Sequence, residues 1–212
     1  MTEKEKIALQ AVETLEQVYP DAVCSLTYDQ PYELLIAVRL SAQCTDARVN
    51  QVTPELFQRY PTLEAFAEAD LEELEALVRP CGFYHMKAKN IKEMAQKLLT
   101  DYGGVVPDTM EDLLSLPGVG RKTANLILGD VYGQPAIVTD THCIRISGRL
   151  GLTASKDPKK VEQDLLPLIP PEQSSAFCHR LVFFGRDTCR ARSPQCAICP
   201  MAIFCPKIGV GT

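Results

Sequence analysis

The chain has 212 residues, 46% of them hydrophobic and 23% charged, a composition that supports a sizeable core and excludes a disordered or low-complexity chain. Its formal net charge of −5 opposes a polyanionic partner, because nucleic-acid affinity comes from Lys and Arg displacing counterions, so any such partner needs a local basic face. The charged opening MTEKEKIALQ and apolar runs as short as Leu34 to Val38 predict a cytosolic protein without signal peptide or transmembrane helix, where nine cysteines point to metal rather than disulfides.

Helical periodicity dominates in chain order. Ile7, Ala11, Leu15 and Val18 recur at the spacing of one helical face, followed by Leu71, Leu74, Leu77 and Val78, and then by Ile91, Met94, Leu98 and Leu99. Asp70 with Glu73 and Thr109 with Asp112 stand at capping-box spacing, and Asp157 before Pro158 marks a further helix start. Ala136 to Val138 reads as a short buried connector rather than a sheet strand, and Gly185 after Leu181 to Phe184 reads as a helix stop. The expected fold is all-α, with no repeat and no Gly/Ser linker. Acidic residues concentrate in Glu64 to Glu75; Lys87, Lys89, Lys92, Arg121, Lys122, Arg145, Arg149, Arg186, Arg190 and Arg192 lie elsewhere and are free to share a face.

Between the helical patterns at Thr109 to Leu114 and Ala124 to Ile127 lies Leu116-Pro117-Gly118-Val119-Gly120-Arg121-Lys122, a tight turn joining two helices. Gly118 and Gly120 permit backbone conformations closed to other residues, so unpaired amides at the second helix start can converge on an anion such as a DNA phosphate. Alone, a Pro-Gly-x-Gly string marks only a turn between packed helices. Lys122 falls in the first turn, where the helix dipole and partial burial oppose an ammonium; its commoner role is a surface phosphate contact, its sharper one a nucleophile. Asp140 precedes Cys143, Ile146 and Leu150 and reads as an N-cap, with a second carboxylate oxygen left for other work. His142 reads as structural. On the residues alone Phe83 belongs to the core and Gln43 to a helix surface.

Cys189, Cys196, Cys199 and Cys205 follow the pattern C-x6-C-x2-C-x5-C, short enough for one loop to wrap one metal centre. Four thiolates suit zinc, whose ribbons usually present two separated C-x2-C pairs, and equally suit a 4Fe-4S cluster. Cys24, Cys44, Cys81, Cys143 and Cys178 read as small buried apolar residues.

LPGVGRKTAN, Leu116 to Asn125, resembles the helix-hairpin-helix signature of the endonuclease III family of DNA glycosylases. Thr139-Asp140-Thr141-His142 is similar to that family's Asp-Thr-His segment, and similarity extends to Leu40 to Asp46, to Gly82-Phe83-Tyr84 with Lys87-Ala88, and to the C-terminal cysteines. The resemblance implies an all-α, two-domain helix-hairpin-helix DNA glycosylase fold with a C-terminal 4Fe-4S cluster loop. Residues 22–133 would form a central helical domain containing the hairpin (109–131), and 1–21 plus 134–212 a discontinuous iron-sulfur domain, with the active site at their interface. It further implies base-excision repair by a monomer associated with DNA in the cytoplasm. Oxidised pyrimidines would be removed from duplex DNA and abasic sites cleaved by β-elimination.

In that scheme Lys122 is the nucleophile that forms a Schiff base, and Asp140 its carboxylate partner. Gly118, Val119, Gly120 and Arg121 hold the DNA. Gln43 fills the space left by an extruded nucleotide, and Phe83 is the wedge, where leucine is common. The four cysteines hold a structural cluster beside Arg186, Arg190 and Arg192. Departures are Phe83, His85 where asparagine is frequent, and Arg39 in an otherwise apolar helix; they bear on lesion preference. The related adenine glycosylase carries its catalytic glutamate where this chain has Val38, the mismatch thymine glycosylase commonly has tyrosine in place of Lys122, and the 8-oxoguanine lyases lack the cysteine loop. The alternative outside enzymes is a non-catalytic, zinc-stabilised DNA-binding module.

Overall fold

A computed structural model describes residues 1–211. Its α-helices are, in chain order, α1 (Glu3–Val18), α2 (Pro31–Ser41), α3 (Asp46–Arg59), α4 (Leu63–Glu68), α5 (Leu71–Val78), α6 (Tyr84–Tyr102), α7 (Met110–Ser115), α8 (Arg121–Asp130), α9 (Thr141–Arg149), α10 (Pro158–Leu165) and α11 (Ser174–Asp187). No strand occurs among the described residues, and no helix there is long and apolar enough to cross a membrane. The predicted starts hold because capping is local chemistry. Asp70 accepts from the Glu73 amide at 2.9 Å, Thr109 from Asp112 at 3.2 Å and Asp157 from Lys160 at 2.8 Å, each satisfying an amide with no partner inside its helix.

The chain divides into two compact units, Cys24–Tyr132 and a discontinuous one made of Met1–Val23 with Gly133–Thr212. In the first, α6 is the organising element, packing on α4, α5 and α2 and burying Ala88, Ile91, Met94, Ala95 and Leu98. Removing one such side chain, as in Leu98→Ala, costs about 2–5 kcal/mol. The run Leu34 to Val38 is buried throughout within α2, which explains why that helix shows little periodicity. α8 packs on both α2 and α7 and so fixes the turn that precedes it.

In the discontinuous unit α11 packs on α1 and α9. Arg180 is buried within it, bonding Glu16 of α1 at 3.3 Å and Gln173 at 3.0 Å. Ala136 to Val138 is a buried connector, as expected. Two of its amides are satisfied by side chains instead of a neighbouring strand: Ala136 donates to Ser174 Oγ at 3.0 Å and Val138 to Cys178 Sγ at 3.2 Å.

Three expectations need correction. Gly185 does not stop its helix, since α11 continues to Asp187; a Cβ there would collide with His142 and lie 2.8 Å from Arg145 Nη2, so the glycine permits close approach of α9. Val18 and Leu71 are exposed at helix ends, where the apolar stripe outruns its packing partner. Cys81, Cys143 and Cys178 are buried, but Cys24 and Cys44 are only partly so.

Candidate active site and cysteine pocket

α7 ends at Ser115 and the chain reverses over Leu116 to Val119, the Val119 amide donating to the Leu116 carbonyl at 3.1 Å. Pro117 presets the first corner and Gly118 takes the second at φ 78°, the arrangement of a type II turn, in which glycine alone is unstrained. A Cβ on Gly118 would also lie 2.8 Å from Arg39 Nε and 3.0 Å from Asn90 Oδ1. Those atoms are themselves joined, Arg39 Nε donating to Asn90 Oδ1 at 3.0 Å, so α2 and α6 together form a polar support under the turn. This gives Arg39 its role: burial beneath the hairpin pulls its pKa below the usual arginine value, and its Nε–H is spent on Asn90.

Gly120 departs from expectation. Its φ of −104° and ψ of 174° are extended backbone open to any residue, and a Cβ would meet nothing within 4 Å. It is the N-cap of α8 without a side-chain bond, so the amides of Arg121, Lys122 and Thr123 start the helix without intrahelical acceptors. Val119 and Arg121 are half-buried. Lys122 is exposed on the first turn, not partly buried as its position implied.

Gln43 and Phe83 sit on two exposed tips of the same unit. Gln43 lies in the turn after α2 at φ 54°, and Phe83 caps α6 at φ 49° with 66% of its surface exposed. Neither is the core or helix-surface residue that composition favours. Left-handed backbone costs a non-glycine residue about 1–2 kcal/mol, and strain of this kind concentrates where side chains must be presented outward. His85 beside them is exposed, its Nδ1 2.6 Å from Glu75.

In the discontinuous unit Asp140 is the N-cap of α9, its Oδ1 accepting from the Cys143 amide at 2.7 Å. Cys189, Cys196, Cys199 and Cys205 line one pocket, together with Ile146, Leu150 and Phe184. Burial pushes the Cys199 and Cys205 thiols up, and the neighbouring sulfurs add to this. Arg149 fastens the loop, donating to the carbonyls of Arg190 at 2.7 Å and Ala191 at 2.8 Å and to Cys189 Sγ at 3.2 Å. Arg145 adds bonds to the carbonyls of Cys189 at 3.1 Å and Gly185 at 3.2 Å.

Arg145 and Arg149 therefore leave the set of residues free to meet a polyanion, and so does Lys87, which is buried. Their partners are main-chain carbonyls, which have no sequence signature. The one visible clue among such residues was Arg39, a charge in an apolar helix.

Comparison with known proteins places these features in a family. The family model described as "HhH-GPD superfamily base excision DNA repair protein" matches residues 36–171. Endonuclease III of a Synechocystis species is 48% identical over 208 residues, covering 98% of this chain and 95% of that protein. Endonuclease III of Bacillus subtilis is 46% identical over 195 residues, covering 92% and 89%. A solved structure of a trapped endonuclease III–DNA covalent intermediate superposes with a TM-score of 0.90 at 45% identity, over 98% of this chain and 97% of that one. With a helical fold, a glycine-turned hairpin and this extent of similarity, the chain belongs to the HhH-GPD superfamily of base-excision DNA repair proteins and, within it, to the endonuclease III family.

Proposed function

We infer that this protein excises oxidised pyrimidines from duplex DNA and cleaves the resulting abasic site, with Lys122 as nucleophile and Asp140 as its carboxylate partner. It is a DNA glycosylase with abasic-site lyase activity acting in base-excision repair. One observation carries the assignment: Lys122 stands exposed on the first turn of α8, directly after the glycine turn, in a chain 45% identical to an endonuclease III captured covalently on DNA. A covalent DNA intermediate requires a nucleophile, and an amine alone among common side chains can continue to a Schiff base.

The steps follow from that chemistry. The damaged nucleotide rotates out of the stack, and Gln43 and Phe83 fill the gap it leaves. The Lys122 amine forms a bond to C1′ as the bond from C1′ to the base breaks, and the proton the amine gives up passes by way of Asp140 to the departing base. Asp140 orients the amine, accepts its proton and stabilises positive charge developing on the sugar; its cap to Cys143 uses Oδ1 and leaves a second oxygen for this role. Ring opening gives the Schiff base, loss of a C2′ proton expels the 3′ phosphate, and water releases the lysine. Amides of the first turn of α8 serve a backbone phosphate, and the open space in front of Gly120 lets it approach.

The cysteine quartet fits a 4Fe-4S cluster. Its C-x6-C-x2-C-x5-C spacing departs from the two separated C-x2-C pairs of most zinc ribbons, and the four thiols line one pocket. Cys189, Cys196, Cys199 and Cys205 would hold the cluster, which when bound supplies cross-linking of a loop with little apolar core of its own. Purified protein should contain iron and acid-labile sulfide; zinc alone would overturn this part.

The substrate assignment is tested by single-turnover cleavage of duplexes carrying one oxidised pyrimidine, a thymine opposite guanine, or an adenine opposite 8-oxoguanine. Preferred incision at the oxidised pyrimidine is expected. Preferred excision from either mismatch would replace the reading with that of a relative.

A further inference from the structure

Lys87 is a buried cation for which the chemistry above has no use. It lies in the first turn of α6, is 1% exposed, and its Nζ donates at 2.8 Å to the Leu40 carbonyl and at 2.8 Å to the Cys81 carbonyl. Burial pulls its pKa below the usual lysine value, an effect the Cys44 and Cys81 sulfurs oppose and the Arg39 guanidinium reinforces. An apolar side chain of similar length would fill the same space without desolvating a charge. What distinguishes the lysine is the pair of bonds it makes.

Both carbonyls stand at the base of a strained tip. Leu40 closes the buried part of α2 just ahead of Gln43, and Cys81 lies just ahead of Phe83, the two residues held at φ 54° and φ 49°. A single ammonium therefore joins the stems of two separate loops. Left-handed backbone at a non-glycine residue persists only where its surroundings over-determine it, and here the over-determining bonds meet at one atom.

We propose that Lys87 is a positioning residue that holds the Gln43 and Phe83 tips at a fixed separation, so that both enter the duplex together when a nucleotide is rotated out. The proposal rests on the reading of Gln43 and Phe83 as the residues that fill the vacated stack. Tips that are tied beforehand need not be ordered during binding, so the tie acts on opening the stack and not on the sugar chemistry. Its loss should therefore separate two substrates of one enzyme.

Lys87→Met, which keeps the length and removes the donors, is compared with Lys87→Arg, which restores donors and charge, in the full-length holoenzyme. Gln43→Ala, Phe83→Ala and the double variant Lys87→Met/Phe83→Ala complete the set. Single-turnover rates are measured on a paired oxidised pyrimidine and on a preformed abasic site in the same sequence, with 2-aminopurine opposite the lesion reporting insertion. Lys87→Met should slow excision of the paired lesion by about tenfold, equivalent to about 1.4 kcal/mol of barrier, with the abasic site within about twofold of wild type. The 2-aminopurine signal should fall in parallel, Lys87→Arg should recover most of both, and the double variant should be no slower than the worse single one. Should Lys87→Met fail to fold, Lys87→Gln provides the same comparison. Equal losses on both substrates, or none, would overturn the role of Lys87 while selective losses in Gln43→Ala and Phe83→Ala kept the filling role intact. If those two variants lacked selective losses, the filling role would fall, and this inference with it.

Discussion

Gly118→Ala and Gly120→Ala should separate the folding of the hairpin from its use. At Gly118 the new methyl meets two costs: alanine at φ 78° incurs about 1–2 kcal/mol, and its Cβ would lie 2.8 Å from Arg39 Nε and 3.0 Å from Asn90 Oδ1. Making room pushes apart the Arg39–Asn90 bond, which adds roughly 0.5–1.5 kcal/mol. The sum, about 1.5–3.5 kcal/mol, corresponds to a fall of about 3–14 °C in melting temperature for a chain of this size. At Gly120 the backbone is extended at φ −104° and the methyl meets nothing within 4 Å, so the gain of about 0.4–1 kcal/mol from a stiffer unfolded chain offsets what alanine loses to glycine at an N-cap, and stability should hold. That same methyl projects into the space assigned to a phosphate, so duplex affinity should fall while melting does not. Thermal melting and titration of a fluorescent abasic duplex at fixed salt read the two effects. A Gly118→Ala protein as stable as wild type, or a Gly120→Ala protein that melts early but binds normally, would refute the reasoning.

Phe83→Gly relieves a left-handed position of an exposed side chain, so it should melt no lower than wild type yet excise paired lesions more slowly; a drop in melting temperature would show that Phe83 serves packing. Arg149→Met removes bonds to Cys189 Sγ and to the Arg190 and Ala191 carbonyls, with an expected cost of up to about 3 kcal/mol and lower iron content per chain after dialysis against a chelator. Unchanged iron retention would count against the clamp. Duplex affinity should fall steeply with added salt despite the net charge of −5, because local basic residues and helix amides meet the phosphates; a flat salt response would contradict that.

Legibility in the sequence followed the range of the physics. The caps at Asp70, Thr109 and Asp157 were readable because donor and acceptor lie three residues apart. Gly185 was misread because its reason lies on α9, and no local pattern distinguishes a glycine that admits a neighbouring helix from one that ends its own. Lys87, Arg145 and Arg149 looked like surface charge because their acceptors are backbone carbonyls, which every residue carries. Phe83 shows the reverse case. Its apolar character argued for burial, while its exposure follows from a backbone conformation that composition does not encode; the family resemblance alone pointed to it. Lys122 and Asp140 are, by their local features, an exposed helix-start lysine and an N-cap, and their proposed chemistry rests on the motifs around them.

The central claim, covalent chemistry by Lys122, is met most directly by borohydride trapping. Wild-type protein incubated with an abasic duplex and borohydride should form a stable crosslink that peptide mapping locates at Lys122, since reduction converts the Schiff base to an amine. Lys122→Gln should bind the duplex without forming the adduct. Asp140→Asn, which keeps a capping oxygen for the Cys143 amide, should stay folded and lose more of its excision rate than of its trapping yield on preformed abasic sites. A crosslink of undiminished yield in Lys122→Gln, mapping to another lysine, would contradict the account.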